Sequence, residues 1–401
     1  MKDRGIDEKN LDREITLFST DTQYKEAVEP IGQVAQERGY KVTMTDDLSA
    51  KAEIGIYCQH SYEIPSVNSK LSVIMFHGLD MGYTEKRWPQ ENWSRFDIGL
   101  LPGQVSVNNW KKASAHPYAR PTIGVFEVGW PKADSLFSES FSNSVNEYQE
   151  QIGLGEGQTI LYAPTKESPG QIDDFVSAAR GLADNLLIKH APYEYDRELE
   201  QIYEPYRNED EICFADKRDR IMYSLSLSDI LVSDESSVLQ EALLTNTVPI
   251  SVIDWPKHEP GKDRTYNQLP EFTITTKKEN LRDTLEDIIS NREYYAKELE
   301  HDRQHLVKNL GTSSEAVVDL IESVVGSEQL AFEPVPPATD GYSTLQKLTL
   351  SGKTALSKPY HHVRHRVLQN LTEEQEQTLK KLKFDKMLHT ADRMTNYKKY
   401  R

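Results

Sequence analysis

At 401 residues the chain is too long for one ordinary core and suits two domains with an appendage. Its mean hydropathy is −0.65, and its longest apolar runs, residues 73–76 and 160–163, are far short of the ~20 needed to cross a bilayer as a helix. A net charge of −17 argues against nucleic-acid binding, export by a signal peptide is not expected, and Cys58 and Cys213 read as reduced, buried thiols of a cytoplasmic protein.

In chain order, apolar runs at residues 15–18, 41–44, 54–58, 72–76 and 98–101 predict strands, with a helical period over 24–37. A second series opens after the Gly-rich stretch 153–158. Its strands are predicted at 159–163, 185–189, 211–214, 230–233 and 248–252, with helices at 172–182, 197–203, 218–226 and 236–244 between them. Strand–helix alternation implies parallel sheets covered on both faces. Two such series predict an α/β protein of two Rossmann-like domains facing a cleft, residues 1–150 and 151–330. Residues 279–309 read as one strongly helical stretch and 313–325 as its continuation, completing the second domain and free to cross back to the first.

Beyond them, EPVPPAT at 333–339 marks a Pro-rich linker over 331–345. The sign of the charge then reverses: residues 346–401 carry a balance of +8, against −25 for the rest. Leu379, Leu382, Met387 and Leu388 among lysines predict a basic helical extension suited to anionic lipid headgroups. Packing of this extension on the acidic body is the competing reading.

Open parallel sheets bind ligands at the carboxyl ends of their strands. Polar residues stand there repeatedly: His77 and Gly78, Thr165 and Lys166, Lys189 and His190, and the turn Ser233, Asp234, Glu235, Ser236, Ser237. That turn combines free amides, hydroxyls and a helix start, which suits a phosphate. Glu241, one helical turn beyond Ser237, comes within reach of a ribose hydroxyl. The plainer alternative is a capping box made by Ser237 and Gln240. His77 has the chemistry of a general base, and His190, Lys189 and Lys166 that of a diphosphate clamp. Structural alternatives are a strand cap for His77 and a solvated loop lysine for Lys166. Kinase and dehydrogenase loops are absent, because Gly153, Gly155 and Gly157 precede a strand. No Asp-x-Asp follows a strand to hold a metal.

Five segments together resemble a known family: FHGLDMGYTEKRW (76–88), GWPKAD (129–134), ILYAPTKE (160–167), LLIKHAPYE (186–194) and VSDESSVLQEALL (232–244). They are similar in order and spacing, over residues 54–253, to the CDP-glycerol glycerophosphotransferases, the teichoic-acid primases and polymerases of GT-B architecture. Departures are Lys166 after Ala-Pro-Thr, Glu235 within the turn, and Ala191 between His190 and Pro192. The resemblance implies transfer of glycerol phosphate, or a related alditol phosphate, from a CDP-linked donor to a hydroxyl of a polymeric or lipid-linked acceptor at the inner membrane face. It further implies His77 as base, His190 at the donor phosphates, Ser236 and Ser237 at the diphosphate, and no required metal or cofactor. The runner-up is a nucleotide-sugar transferase or UDP-sugar 2-epimerase-like enzyme. A third reading is a catalytically silent envelope-assembly subunit.

Overall fold

The computed structural model describes residues 11–79, 91–191, 194–234, 236–255, 272–326 and 329–338. The expected basic extension over 346–401, the linker beyond Ala338, residue Glu235 and most of the segment after His77 lie outside these described residues.

The first six strands are β1 (Glu14–Phe18), β2 (Lys41–Thr45), β3 (Ala52–Tyr57), β4 (Ser69–Ile74), β5 (Ile98–Leu101) and β6 (Gly124–Glu127). They form one parallel sheet in the order β2-β1-β3-β4-β5-β6. Helix α1 (Thr22–Glu37) starts where the Asp21 carboxylate accepts the amides of Gln23 and Tyr24 at 3.0 and 3.3 Å. It buries Ala27, Val28, Ile31 and Ala35 on the sheet, which leaves Glu26 facing the second half of the molecule. Helices α2 (Gln104–Ala113) and α3 (Glu139–Ile152) follow. Gly153, at φ +69°, ends α3, so the Gly-rich stretch is a helix stop.

The second sheet contains β7 (Thr159–Tyr162), β8 (Asn185–Ile188), β9 (Ile212–Phe214), β10 (Ile230–Ser233), β11 (Val248–Val252) and β12 (Ile274–Thr276). It is also parallel, in the order β12-β11-β10-β7-β8-β9. Helices α4 (Gln171–Ala179), α5 (Asp196–Tyr203), α6 (Ile221–Ser226) and α7 (Val238–Leu244) connect its strands. The single helical stretch expected over 279–309 is in fact two helices, α8 (Leu281–Ser290) and α9 (Arg292–Leu306). Asn291 breaks it, because its side chain bonds the Asp287 carbonyl and carboxylate at 3.0 and 2.8 Å.

The chain then returns to the first half. The amide of Lys308 meets the Pro102 carbonyl at 2.9 Å, and Gly129, at φ +103°, has no room for a Cβ beside Lys308 and Ser313. Helix α10 (Ser313–Val325) packs on α1, its start capped by Asp134 through the amides of Ser313 and Ser314. Beyond it the extended segment reaches the β6 edge, where the Val335 amide meets the Val125 carbonyl at 2.7 Å. One hydrophobic core runs through both halves. Among the described residues no helix is long and apolar enough to cross a membrane.

Candidate functional site

A cavity of about 260 Å³ lies where the carboxyl ends of the two sheets face each other. The first half supplies Glu26 from α1, His60 after β3, His77 and Gly78 after β4, and Lys132 from the turn Pro131–Phe137. From the second half come Ala163 and Pro164 after β7, Lys189 and His190 after β8, Lys217–Arg220 after β9, and Ser236, Ser237 and Glu241 around the start of α7. Five lining residues are Lys or Arg and three are Asp or Glu, so a strongly acidic chain is locally positive here. Such a surplus favours an anionic ligand.

His77 is half-buried, with Tyr24 set edge-on to its ring at 4.8 Å between centroids. The ring donates to the Cys58 carbonyl, and Nδ1 has no partner. Its hydrogen therefore sits on Nε2 and the lone pair on Nδ1. Burial, then the charges of His60 and Lys132, push its pKa down to about 3, so the ring is neutral at physiological pH. A buried acceptor without a donor is costly, and a hydroxyl brought to it would relieve that cost.

His190 is enclosed on all sides. Its Nδ1 lies 2.9 Å from the Tyr203 hydroxyl and its Nε2 2.9 Å from Glu167, whose carboxylate also accepts from Tyr162 at 2.6 Å. A phosphate contact from this ring requires one of those bonds to be exchanged. Lys189 donates to the Asp216 carbonyl at 2.9 Å, and burial draws its pKa down to about 8 against the pull of Asp219, Asp216 and Glu26.

Other expected donor residues divide between the cavity and the frame beneath it. Ser236, Ser237 and Glu241 line the cavity, whereas Thr165, Lys166, Ser233 and Asp234 do not. Asp234 accepts from the amide and hydroxyl of Thr165 at 2.9 and 2.7 Å, and Ser233 donates to the Ala163 carbonyl at 2.7 Å. These bonds clamp the loops after β7 and β10 together. Lys166 is exposed. Ser237 makes no side-chain cap, which removes the capping-box alternative and leaves its hydroxyl to a ligand. Ser237→Ala is therefore expected to weaken nucleotide binding by about 1 to 2 kcal/mol, measured by calorimetry, with an unchanged unfolding midpoint.

Several residues here escape a reading of single motifs. Lys132 stands 3.6 Å from both Glu26 and Glu241, tying the two halves together, and Arg220 pairs with Glu26 at 3.3 Å. His60 Nδ1 meets Glu91 at 3.0 Å. His60 and the run Lys217–Arg220 each follow a strand, so the rule that located His77 also reaches them. Glu26 and Glu91 carry no such signal. Among the described residues no group of three His, Cys, Asp or Glu is placed to hold a metal ion.

Residues 77–323 match the family described as CDP-glycerol:poly(glycerophosphate) glycerophosphotransferase. No curated protein matches the chain in sequence. Among solved structures, the wall teichoic acid polymerase TagF is similar at 16% identity and a TM-score of 0.58, over 81% of this chain and 92% of that one. A putative UDP-N-acetylglucosamine 2-epimerase from Listeria monocytogenes is similar at 12% identity and a TM-score of 0.53, over 82% and 99%. The UDP complex of S. aureus MnaA gives 12% and 0.53, over 81% and 99%. At these identities the structural likeness carries the fold, which is GT-B.

Proposed function

The chain belongs to the CDP-glycerol:poly(glycerophosphate) glycerophosphotransferase family and is a transferase of that type; from this premise we propose which of its residues act. In the reaction an acceptor hydroxyl oxygen bonds to the phosphorus bearing glycerol. The bond from that phosphorus to the bridging oxygen breaks, CMP leaves with the oxygen, and the hydroxyl proton passes to His77. A neutral imidazole with an unpartnered Nδ1 can take that proton. Negative charge grows on the departing CMP, where Lys189 and the cationic run Lys217–Arg220 face it, joined by Ser236 and Ser237. Glu241 reaches the ribose by exchanging Lys132 for a hydroxyl. His190 joins the phosphates by exchanging Glu167 or Tyr203 for a phosphate oxygen. This scheme calls on no cofactor beyond the CDP-linked donor.

The observation that carries the reading is the locally positive cavity that holds a neutral histidine at a strand end. Nothing observed favours the sugar-nucleotide or silent-subunit readings over it. We further propose that the acceptor is lipid-linked or polymeric and that residues 346–401, with their balance of +8, hold the protein at an anionic membrane surface. Transfer of labelled glycerol phosphate from CDP-glycerol to a glycerophosphate oligomer tests the activity, with CDP-ribitol and UDP-sugars as competitors. Turnover of UDP-sugars alone would overturn the donor. Removal of 346–401 should abolish sedimentation with anionic vesicles and spare turnover on a soluble acceptor; retained sedimentation would remove the tail from that role.

A further inference from the structure

A site that gathers a diphosphate works against its own general base, because each negative charge brought near an imidazole favours its protonated form. His77 stands in such a site, and beside its ring, lining the same cavity, is a second histidine. His60 meets His77 edge-to-face, with centroids 5.6 Å apart and planes at 82°. Its Nδ1 lies 3.0 Å from Glu91 Oε1, while the other oxygen of Glu91 takes the Ser61 amide at 2.8 Å. Glu91 is wholly buried. A carboxylate in that position stays charged only with a cation and hydrogen bonds around it, and His60 is placed to be that cation.

We infer that the His60–Glu91 pair is a positioning device for His77: it presents an imidazolium to the His77 ring and so keeps that ring neutral while the anionic donor is bound. The pair rests on the role proposed above for His77. Burial alone would raise the Glu91 carboxyl, yet the His60 contact and the Ser61 bonds hold it below the ordinary range, as an ion pair requires. The groups that face His77 are Tyr24 from α1, the Cys58 carbonyl after β3, His60 with Glu91 behind it, and Lys132. Of these, Lys132 and, when protonated against Glu91, His60 are the cations. Lys132 is shared between Glu26 and Glu241, whose charges offset its effect. Glu91 offsets His60 in part as well, but of the two cations His60 opposes protonation of His77 more strongly.

The test is a titration of His77 by nuclear magnetic resonance of the full chain labelled at histidine, with assignment by His77→Gln. In the unaltered protein the His77 signal should stay that of the neutral Nε2–H form well below pH 6. His60→Gln should raise its midpoint by about one pH unit, Glu91→Gln should move it the same way, and His60→Lys should restore the low midpoint. The acid limb of kcat/KM should follow these shifts. An unmoved His77 midpoint in either folded variant, or a limb that stays put while the plateau rate falls, would show a merely structural pair. Since the titration is read without turnover, absence of transferase activity would count against the proposed function and leave the judgement on His60 intact.

Discussion

Replacement of His77 by alanine is expected to lower turnover by about 100-fold or more while donor affinity stays within about a factor of two. The asymmetry follows from where the ring sits. It lies at the end of β4 in the first half, whereas the cations proposed to meet the diphosphate come from the loops after β8 and β9 in the second. Removing a base raises the barrier without removing a donor contact. A base acts only when deprotonated, and burial draws the His77 pKa down to about 3, so the wild-type rate should hold as pH falls well below the ordinary histidine range. Folding stability should decline over that same window, because the unfolded chain takes up a proton below about pH 6.5 that the folded ring resists. Single-turnover kinetics and calorimetry with CDP-glycerol separate the two effects. Near wild-type turnover in the variant would refute the assignment.

The architecture was largely legible because parallel strands buried on both faces read as short apolar runs, and ten of these stood out between turn residues. Strands β6 and β12 escaped, since GVFE and ITT hold too few consecutive apolar residues to stand out as runs. Helix α2 escaped for another reason: Val107, Trp110 and Ala113 are its buried positions, set among polar residues. The site was legible one strand end at a time. Each such residue must still turn either to the cavity or to a neighbouring loop, and spacing does not decide which. Thr165 and Asp234 turn to each other, while Ser236 and Ser237 turn to the cavity. The contacts that join distant segments were invisible for the same reason: the sheets bring Glu91 to His60, and the fold brings positions 26, 132 and 241 to one point.

That last point gives the largest expected effect on stability. Lys132→Met should destabilise the protein by about 3 kcal/mol, at the low end for a broken buried pair because the cavity admits some water. Lys132, Glu26 and Glu241 each expose 8% of their side chains, and the lysine stands 3.6 Å from both carboxylates. Without it two buried anions from opposite halves face each other, with Arg220, 3.3 Å from Glu26, and Lys189 beyond it left to offset them. Burial already lifts the Glu26 carboxyl above the ordinary range, against the pull of Lys132 and Arg220, and Glu241 lifts it further. Loss of the lysine must raise it again. A carboxyl whose folded pKa is raised holds its proton in the native state, so stability falls as pH rises from the unfolded value, about 4.3, through the folded one. The variant should therefore lose stability more steeply than the parent between acid and neutral pH. Adding Glu26→Gln to Lys132→Met should recover most of the loss, since it removes one of the two opposed charges. Urea unfolding at pH 5 and pH 8 measures all three proteins. A Lys132→Met loss under about 1 kcal/mol at both pH values would show that solvent in the cavity already screens the cluster, and that the lysine does not hold the halves together.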